Sequence, residues 1–140
     1  MHPKVSVIIP TYNSEEYVAK AIESVLQQTE QNVEVIVVDD ASVDRTVEVV
    51  QGYCSDRLKL LVNEHNQGPS YSRNRGIEVA RGEWIAMLDS DDWYAPNRLE
   101  KLLQVAYTEN ADFVVDDLYL ITDKAKKPWS TRFSENWGFG

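Results

Sequence analysis

Three carboxylates lie close together at Asp89, Asp91 and Asp92, directly after the apolar run 84–88. Like charges at this spacing repel one another, so they need water, a cation or another partner to stay ionised. A divalent cation bound to a diphosphate would meet this need, because Mg²⁺ and Mn²⁺ bind one or two protein carboxylates together with phosphate oxygens. The competing interpretation is a solvated acidic turn at the start of the next helix, since aspartate favours helix N-termini. An Asp-x-Asp pair alone is weak evidence for a metal site, so the rest of the chain must decide.

Short β-branched runs alternate with segments of helical spacing along most of the chain. Strands are predicted at 5–9, 33–38, 58–62 and 84–88, and helices at about 13–28, 45–53, 69–80 and 96–109. One or two further strands are predicted within 113–115 and 118–121, and no packed element is predicted after Thr122. The alternation predicts an α/β fold with a mostly parallel, doubly wound sheet and helices on both faces.

Polar clusters follow three of the predicted strands, at 11–13, 39–40 and 89–92. In open parallel sheets, ligands bind beyond the carboxyl ends of the strands, at the point where the strand order reverses. If the strand order is 3-2-1-4, that point lies between the first and the fourth strand, and all three clusters face one crevice. We therefore expect the ligand site there.

Two residues near this crevice suit a nucleotide base. Tyr12 offers a ring face on which a base can stack, or it is an ordinary aromatic residue. Asp40 can accept hydrogen bonds from a pyrimidine imide or a ribose hydroxyl, or it can cap its own loop at Ala41-Ser42. Its neighbour Asp39 is the better candidate for a structural carboxylate that accepts from backbone N–H groups of neighbouring loops.

Two arginines lie on the helix that is predicted to begin near the crevice. Arg73 suits phosphate oxygens, or an ion pair with Asp39 or Asp89. Arg75 is interpreted as a solvated charge.

Composition limits the classes of partner. Of the 140 residues, 43% are apolar, which is typical of a folded globular domain. A formal net charge of −9 argues against nucleic acid or an anionic membrane surface as the main partner. The single cysteine, Cys54, excludes an internal disulfide and fits a reducing cytoplasm. No apolar stretch is long enough to predict a transmembrane segment.

Four segments resemble, in order and in spacing, the signatures of the family 2 glycosyltransferases: 6–13, 38–46, 66–76 and 88–92. The resemblance extends over residues 4 to about 122. It implies an inverting enzyme of GT-A fold that transfers a sugar from a UDP-sugar, or another nucleotide sugar, to a saccharide or lipid-linked acceptor. It also implies Mn²⁺ or Mg²⁺ as cofactor. We expect such a protein in the cytoplasm, at the inner face of the membrane where its acceptor is lipid-linked.

The resemblance also implies roles for individual residues. Tyr12 would stack on the base and Asp40 would bind it, while Asp89 would lie near the ribose or the sugar. Asp91 would bind the metal, and Asp92 is a weaker candidate for that role. The expected nucleotide-binding residues are Pro10, Thr11, Tyr12, Asp40, Arg73 and Asp89, and the expected metal ligands are Asp91 and Asp89.

The chain departs from the family pattern after the acidic motif. The acceptor-binding half of these enzymes, with its general base, lies C-terminal to that motif, and too few residues follow Asp91 to form it. Asp116, Asp117 and Glu135 match the base only loosely, so we expect the base outside this chain. We predict a nucleotide-sugar-binding domain at 1–122, followed at 123–140 by an irregular tail or the start of the acceptor half.

An incomplete sheet would expose an apolar edge near 114–121, and the terminal run also carries four aromatic residues. Such surfaces pair with other chains. We therefore expect self-association, most simply as a homodimer. The four residues are Trp129, Phe133, Trp137 and Phe139.

A second interpretation is a phosphoacceptor signalling domain of the receiver type. The pair Asp39-Asp40 resembles the acidic pair after the first strand of such a domain, with Asp89 as the phosphorylated residue. A whole strand and helix precede the pair here, which counts against this interpretation. The chain also lacks the glycine-rich motifs of nicotinamide-binding Rossmann domains and of phosphate-loop ATPases at the expected positions.

Overall fold

The computed structural model describes the backbone of residues 2–116, 119–122 and 125–131, and the side chains of residues 2–116. The chain divides into two compact units, residues 1–100 and 101–140. The elements are β1 Val5–Thr11, α1 Val18–Leu26, β2 Val33–Asp39, α2 Thr46–Gln51, β3 Leu58–Val62, α3 Pro69–Val79, β4 Trp84–Met87, α4 Arg98–Thr108, β5 Tyr119–Thr122 and β6 Ala125–Thr131.

Four parallel strands form the sheet of the first unit, in the order β3-β2-β1-β4. The chain moves outward from β1 to β3 and then returns to the other side of β1. Because crossovers between parallel strands are right-handed, α1 and α2 share one face of the sheet and α3 covers the other. The strand order on which the predicted crevice depends is therefore confirmed, and so is the doubly wound α/β fold.

The two central strands are buried along their whole length, which explains their nearly continuous apolar sequences. On the α3 face, Ile8, Ile36 and Val38 form a cluster against which Val79 packs. Gly76 allows α3 to approach this closely, because a Cβ atom there would lie 2.6 Å from a methyl carbon of Ile8. The position of α3, and of its first turn above the sheet, depends on this contact.

Strand β1 does not end at Pro10 as the sequence predicts; it continues through Thr11. The Thr11 carbonyl accepts from the backbone N–H of Asp40 on the β2 side, whereas the Ile8 carbonyl accepts from that of Leu88 on the β4 side. Pro10 points the same way as Ile8, toward the side where β4 has already ended at Met87. Its missing N–H therefore removes no hydrogen bond between strands.

Helix α1 begins later than the start near Asn13 that the sequence predicts. Its first residue is Val18, after a turn at 15–17. Asn13 has a positive φ of 48°, and its side-chain oxygen accepts from the N–H of Val43 at 2.9 Å. The side chain that the sequence assigns to this helix therefore joins two loops instead.

In the second unit, β5 pairs with β6 in antiparallel orientation. The prediction of no packed element after Thr122 is wrong for 125–131, where pairing with β5 overrides the polar composition of 124–127. The strand predicted at 113–115 is also wrong, and Phe113 there is largely exposed.

Several predictions for this region are not tested. The domain limit after 122 and the homodimer stay predictions. The general-base candidates Asp117 and Glu135, and the four terminal aromatic side chains, lie outside the described side chains. Among the described residues, no helix combines the length and apolar character needed to cross a membrane.

A buried carboxylate joins the amino ends of three strands. Glu34 is 5% exposed, and its Oε1 accepts from the Ser6 hydroxyl at 2.6 Å and from the N–H of Arg81 at 2.7 Å. The guanidinium of Arg81 lies 3.2 Å from Oε2, and the N–H of Gly82 donates to the Ser6 hydroxyl. Burial raises the pKa of Glu34, but the hydrogen bonds from Ser6 and Arg81 outweigh it and hold the pKa below its ordinary value.

We predict that Glu34→Gln lowers the free energy of unfolding by about 1–3 kcal/mol at neutral pH, because charged acceptors form the stronger hydrogen bonds. A carboxylate whose pKa falls on folding stabilises the native state above its unfolded pKa, and this stabilisation is lost as the pH falls through the folded pKa. The difference between variant and wild type should therefore shrink below pH 4.5. Urea denaturation across this pH range measures it.

The matched control is Glu30→Gln, which removes a more exposed ion pair with Lys4, at 3.3 Å. Exposed pairs contribute about 0–1 kcal/mol. An equal loss in the two variants at every pH would contradict the role given to Glu34.

Candidate functional site

The loops that follow β1, β2 and β4 contact one another directly. The N–H of Asn13 donates to the Ser42 hydroxyl at 2.9 Å, and the hydroxyls of Ser14 and Ser90 lie 2.7 Å apart. The three polar clusters that the sequence places at strand ends therefore share one region of the first unit. Neither Ser14 nor Ser90 is singled out by sequence, because a serine in a loop carries no signal of its partner.

The acidic cluster, defined as Asp89, Asp91 and Asp92, is gathered by a tight turn. The N–H of Asp92 donates to the Asp89 carbonyl at 3.0 Å. One carboxylate oxygen of each residue lies within 4.8 Å of the other two, and all three residues are exposed. Burial of its carboxyl group, followed by the charges of Asp91 and Asp89, raises the pKa of Asp92. Hard oxygen ligands at this spacing fit one divalent cation, and Asp92 stands beside Asp91 and Asp89 as a ligand candidate.

Asp39 and Asp40 are adjacent in sequence but accept hydrogen bonds from different loops. Asp39 is fully buried, and its two oxygens accept from the N–H of Ser42 at 2.9 Å and from the Ser42 hydroxyl at 2.5 Å. The intervening residue, Ala41, has a positive φ of 61°, which turns the chain sharply. Asp39 is therefore a structural carboxylate, as predicted, but the expected acceptance from neighbouring loops is wrong, because its donors lie in its own loop.

Asp40 anchors the loop that leads into α3 rather than capping its own loop. One oxygen accepts from the side-chain amide of Asn63 at 2.9 Å and from the N–H of Gln67 at 2.8 Å, and the other accepts from the N–H of Gly68 at 2.8 Å. Burial alone would raise the pKa of Asp40, but these three donors lower it, so the group is ionised at neutral pH. A carboxylate has about four acceptor positions, so the donors among the described residues leave one of them unused.

The end of β1 lies beside Asp40, since the N–H of Asp40 donates to the Thr11 carbonyl at 2.8 Å. Tyr12 is 48% exposed, as a stacking surface must be. Thr11 is buried, and its hydroxyl has no hydrogen-bond partner among the described residues. A buried hydroxyl without a partner is rare in folded proteins and calls for an explanation. Pro10 is also buried, within the strand.

The two arginines of α3 both have partners. Arg73 forms an ion pair with Asp89 at 3.2 Å, which is one of the two roles that the sequence allows for it. The interpretation of Arg75 as a solvated charge is wrong, because its guanidinium donates to the Val62 carbonyl at 2.9 Å and to the Asn63 side chain at 2.8 Å. Arg75 thereby holds the Asn63 side chain whose amide group donates to Asp40.

The sheet topology counts against a receiver domain. Receiver-type sheets have the order 2-1-3-4-5, whereas the first unit has the order 3-2-1-4. The acidic pair Asp39-Asp40 also follows the second strand rather than the first.

Comparison with known proteins agrees with this topology. The model of the family "Glycosyl transferase family 2" matches residues 6–139. The chain is 38% identical over 121 residues to the UDP-Glc:alpha-D-GlcNAc-diphosphoundecaprenol beta-1,3-glucosyltransferase WfgD of Escherichia coli, covering 86% of this chain and 48% of WfgD. None of these comparisons supports a receiver domain.

Two solved proteins share the fold. S. aureus TarS, crystallised in complex with UDP, matches with a TM-score of 0.73 and 36% identity, over 78% of this chain and 33% of TarS. The mannosyltransferase PcManGT from Pyrobaculum calidifontis, in complex with GDP-Man and Mn²⁺, matches with a TM-score of 0.69 and 26% identity, over 76% of this chain and 33% of PcManGT.

The chain spans about half of WfgD and a third of each solved chain. Its match to the family model nevertheless extends from the second residue of β1 through β6. The α/β sheet with its strand-end site is thus a GT-A fold, and the chain belongs to the family 2 glycosyltransferases.

Proposed function

We propose that this chain binds a nucleotide sugar and supplies the donor side of an inverting glycosyl transfer. The observation that carries the proposal is the contact between the loops that hold Tyr12, Asp40 and the acidic cluster, at the carboxyl ends of β1, β2 and β4. A UDP-sugar is the proposed donor, because TarS was crystallised with UDP and with UDP-GlcNAc, and WfgD is named for UDP-Glc.

The base would lie on the ring of Tyr12. Asp40 is ionised and has one acceptor position left, so it can accept the imide N–H of uracil. The buried hydroxyl of Thr11 would gain from the nucleotide the partner that the described residues do not provide. Pro10 fixes the backbone that leads into this loop.

The acidic cluster would hold Mn²⁺ or Mg²⁺ against the diphosphate. Such a cation, when bound, neutralises the charge that develops on the departing diphosphate. Asp91 is the main proposed ligand, with Asp89 and Asp92 beside it. Arg73 orients Asp89 through their ion pair, and its guanidinium also suits a phosphate oxygen. The Mn²⁺ present in the PcManGT structure supports this assignment.

In the proposed reaction, an acceptor hydroxyl attacks the anomeric carbon as the bond from that carbon to the diphosphate breaks. The hydroxyl proton passes to a general base, for which we propose no residue of this chain. A lipid-linked saccharide is the proposed acceptor, by analogy with the diphosphoundecaprenol named for WfgD. Transfer to such an acceptor would take place in the cytoplasm, at the inner face of the membrane.

We predict that Asp91→Asn folds normally but loses metal-dependent affinity for UDP by about tenfold or more, since even outer-shell changes at metal sites cost that much. Isothermal titration of UDP with and without Mn²⁺ measures the effect. The control is Asp56→Asn, an exposed carboxylate before β3, at the opposite ends of the strands. Equal affinity of wild type and Asp91→Asn for UDP with Mn²⁺ would refute the assignment.

We predict that Tyr12→Ala weakens the binding of every nucleoside diphosphate by about 1–3 kcal/mol, the usual contribution of base stacking on an aromatic side chain. Tyr17→Ala is the matched control, because Tyr17 is equally exposed at 49% and lies at the start of α1. The same titrations decide the matter, and an equal loss in both variants would argue against stacking on Tyr12.

The base preference is a separate expectation. Wild type should bind UDP more tightly than GDP, and Asp40→Asn should reduce that preference because the amide no longer offers two anionic oxygens. The variant should also unfold at a lower temperature, because Gln67 and Gly68 lose an anionic acceptor. Tighter binding of GDP than of UDP by the wild type would reject uracil as the preferred base.

A further inference from the structure

Three polar side chains form a stripe along α1, at Lys20, Ser24 and Gln28. The spacing of four residues places them on one side of the helix, with Gln28 just past its end, where its N–H donates to the Val25 carbonyl. We call this set the α1 stripe. Exposure decreases along it, from the exposed Lys20 to the fully buried Gln28.

The α1 stripe contacts successive residues of the segment that leaves the acidic cluster. The ammonium group of Lys20 lies 3.4 Å from the ring centroid of Trp93, and the Ser24 hydroxyl accepts from the N–H of Tyr94 at 3.1 Å. Beyond them, Gln28 donates to the Ala95 carbonyl at 2.6 Å. Each advance of four residues along α1 therefore corresponds to an advance of one residue along the segment 93–95.

Gln28 uses its whole side-chain amide in these contacts. Besides Ala95, its nitrogen donates to the Ser24 carbonyl at 3.0 Å, and its oxygen accepts from the N–H of Leu99 at 3.0 Å. Glutamate would lack the donors and methionine would lack all three bonds. Because an unpaired buried polar group is costly, this arrangement fixes the backbone at 95 and 99.

The segment is also fastened to the strand that enters the acidic cluster. The Tyr94 hydroxyl donates to the Met87 carbonyl at 2.6 Å, so residues 88–93 form an arc with both ends held. The three carboxylates on this arc repel one another, and an arc with a free end would relax by moving them apart. The α1 stripe opposes that relaxation.

We propose that Gln28, supported by Ser24 and Lys20, is a positioning residue that holds Asp91 and Asp92 at the separation a divalent cation requires. The inference rests on the proposed function, because it concerns the same metal site. Groups that orient the metal ligands affect the affinity for the ion, in addition to the ligands themselves. Here the orienting groups act through the backbone on the C-terminal side of the ligands, at residues 93–99.

The experiment compares the ratio of UDP dissociation constants without and with Mn²⁺ in wild type and in Gln28→Met, Ser24→Ala and Lys20→Met. We expect Gln28→Met to reduce this ratio by about tenfold or more. Ser24→Ala and Lys20→Met should also reduce the ratio, but by a smaller factor. Ser24 and Lys20 are less buried than Gln28, so their variants keep the test valid if Gln28→Met does not fold. UDP binding without metal should stay unchanged in every variant.

The matched control is Tyr53→Phe, which removes hydrogen bonds to the Ala19 carbonyl and the Glu23 carboxylate on the same helix, on the side of α2. We expect it to lower the melting temperature while leaving the ratio at the wild-type value. Mn²⁺ binding followed by electron paramagnetic resonance gives a second readout that needs no nucleotide.

The outcomes separate the two proposals. A wild type whose UDP affinity does not respond to Mn²⁺ overturns the proposed function and the inference with it. A wild type that responds, together with stripe variants that keep the full ratio, overturns the inference alone. A ratio that falls as much in Tyr53→Phe as in the stripe variants also overturns it, because the effect would then follow loss of helix stability.

Discussion

The right-handed connection between parallel strands is the constraint on which this structure depends. It places α1 and α2 on one face and, after the return past β1, α3 on the other. Because the strands so connected are parallel, every loop at the carboxyl end of a strand lies along the same edge of the sheet. Asp39, Tyr12 and Asp89 are far apart in sequence, and the parallel orientation together with the strand order brings their loops together.

The main elements could be predicted because they depend on periodicity, which is local. The strand order could only be assumed, because it depends on which strands pair. The contacts that refine the site could not be predicted, because each depends on a partner from another loop. Asp40 looks like a cap in sequence and is a bridge to Gln67 and Gly68 in the structure. Arg75 looks solvated, but its partner is a carbonyl at the end of β3, which no pattern of side chains can indicate.

Gln28 and β6 are two further cases in which the structure depends on residues distant in sequence. A glutamine at the end of an amphipathic helix is ordinary in sequence, and its burial follows only from the segment 95–99 that covers it. Residues 125–131 are polar and contain Pro128, so their pairing with β5 depends on a neighbour rather than on their own propensity. Local pattern predicts elements well, and it predicts poorly which polar groups are buried.

Two sets of carboxylates in the first unit differ in their surroundings. Glu34, Asp39 and Asp40 are buried, and each accepts from N–H or O–H donors that stabilise its charge within the protein. In the acidic cluster, the recorded side-chain partner among the described residues is Arg73, on Asp89 alone. The cluster thus places three exposed carboxylates at one edge of the sheet. A divalent cation bound there would offset their charge, which favours the binding of an anionic ligand.

The unequal lengths of β1 and β4 have a consequence for how this protein avoids unwanted association. Strand β4 pairs with Val5–Ile8, so the last three residues of β1 have no paired strand on that side among the described residues. Strand backbone without a paired neighbour can pair with a strand of another chain. Pro10 lies at that position and has no N–H to donate to such a strand. A proline at this position therefore disfavours pairing of the end of β1 with another chain.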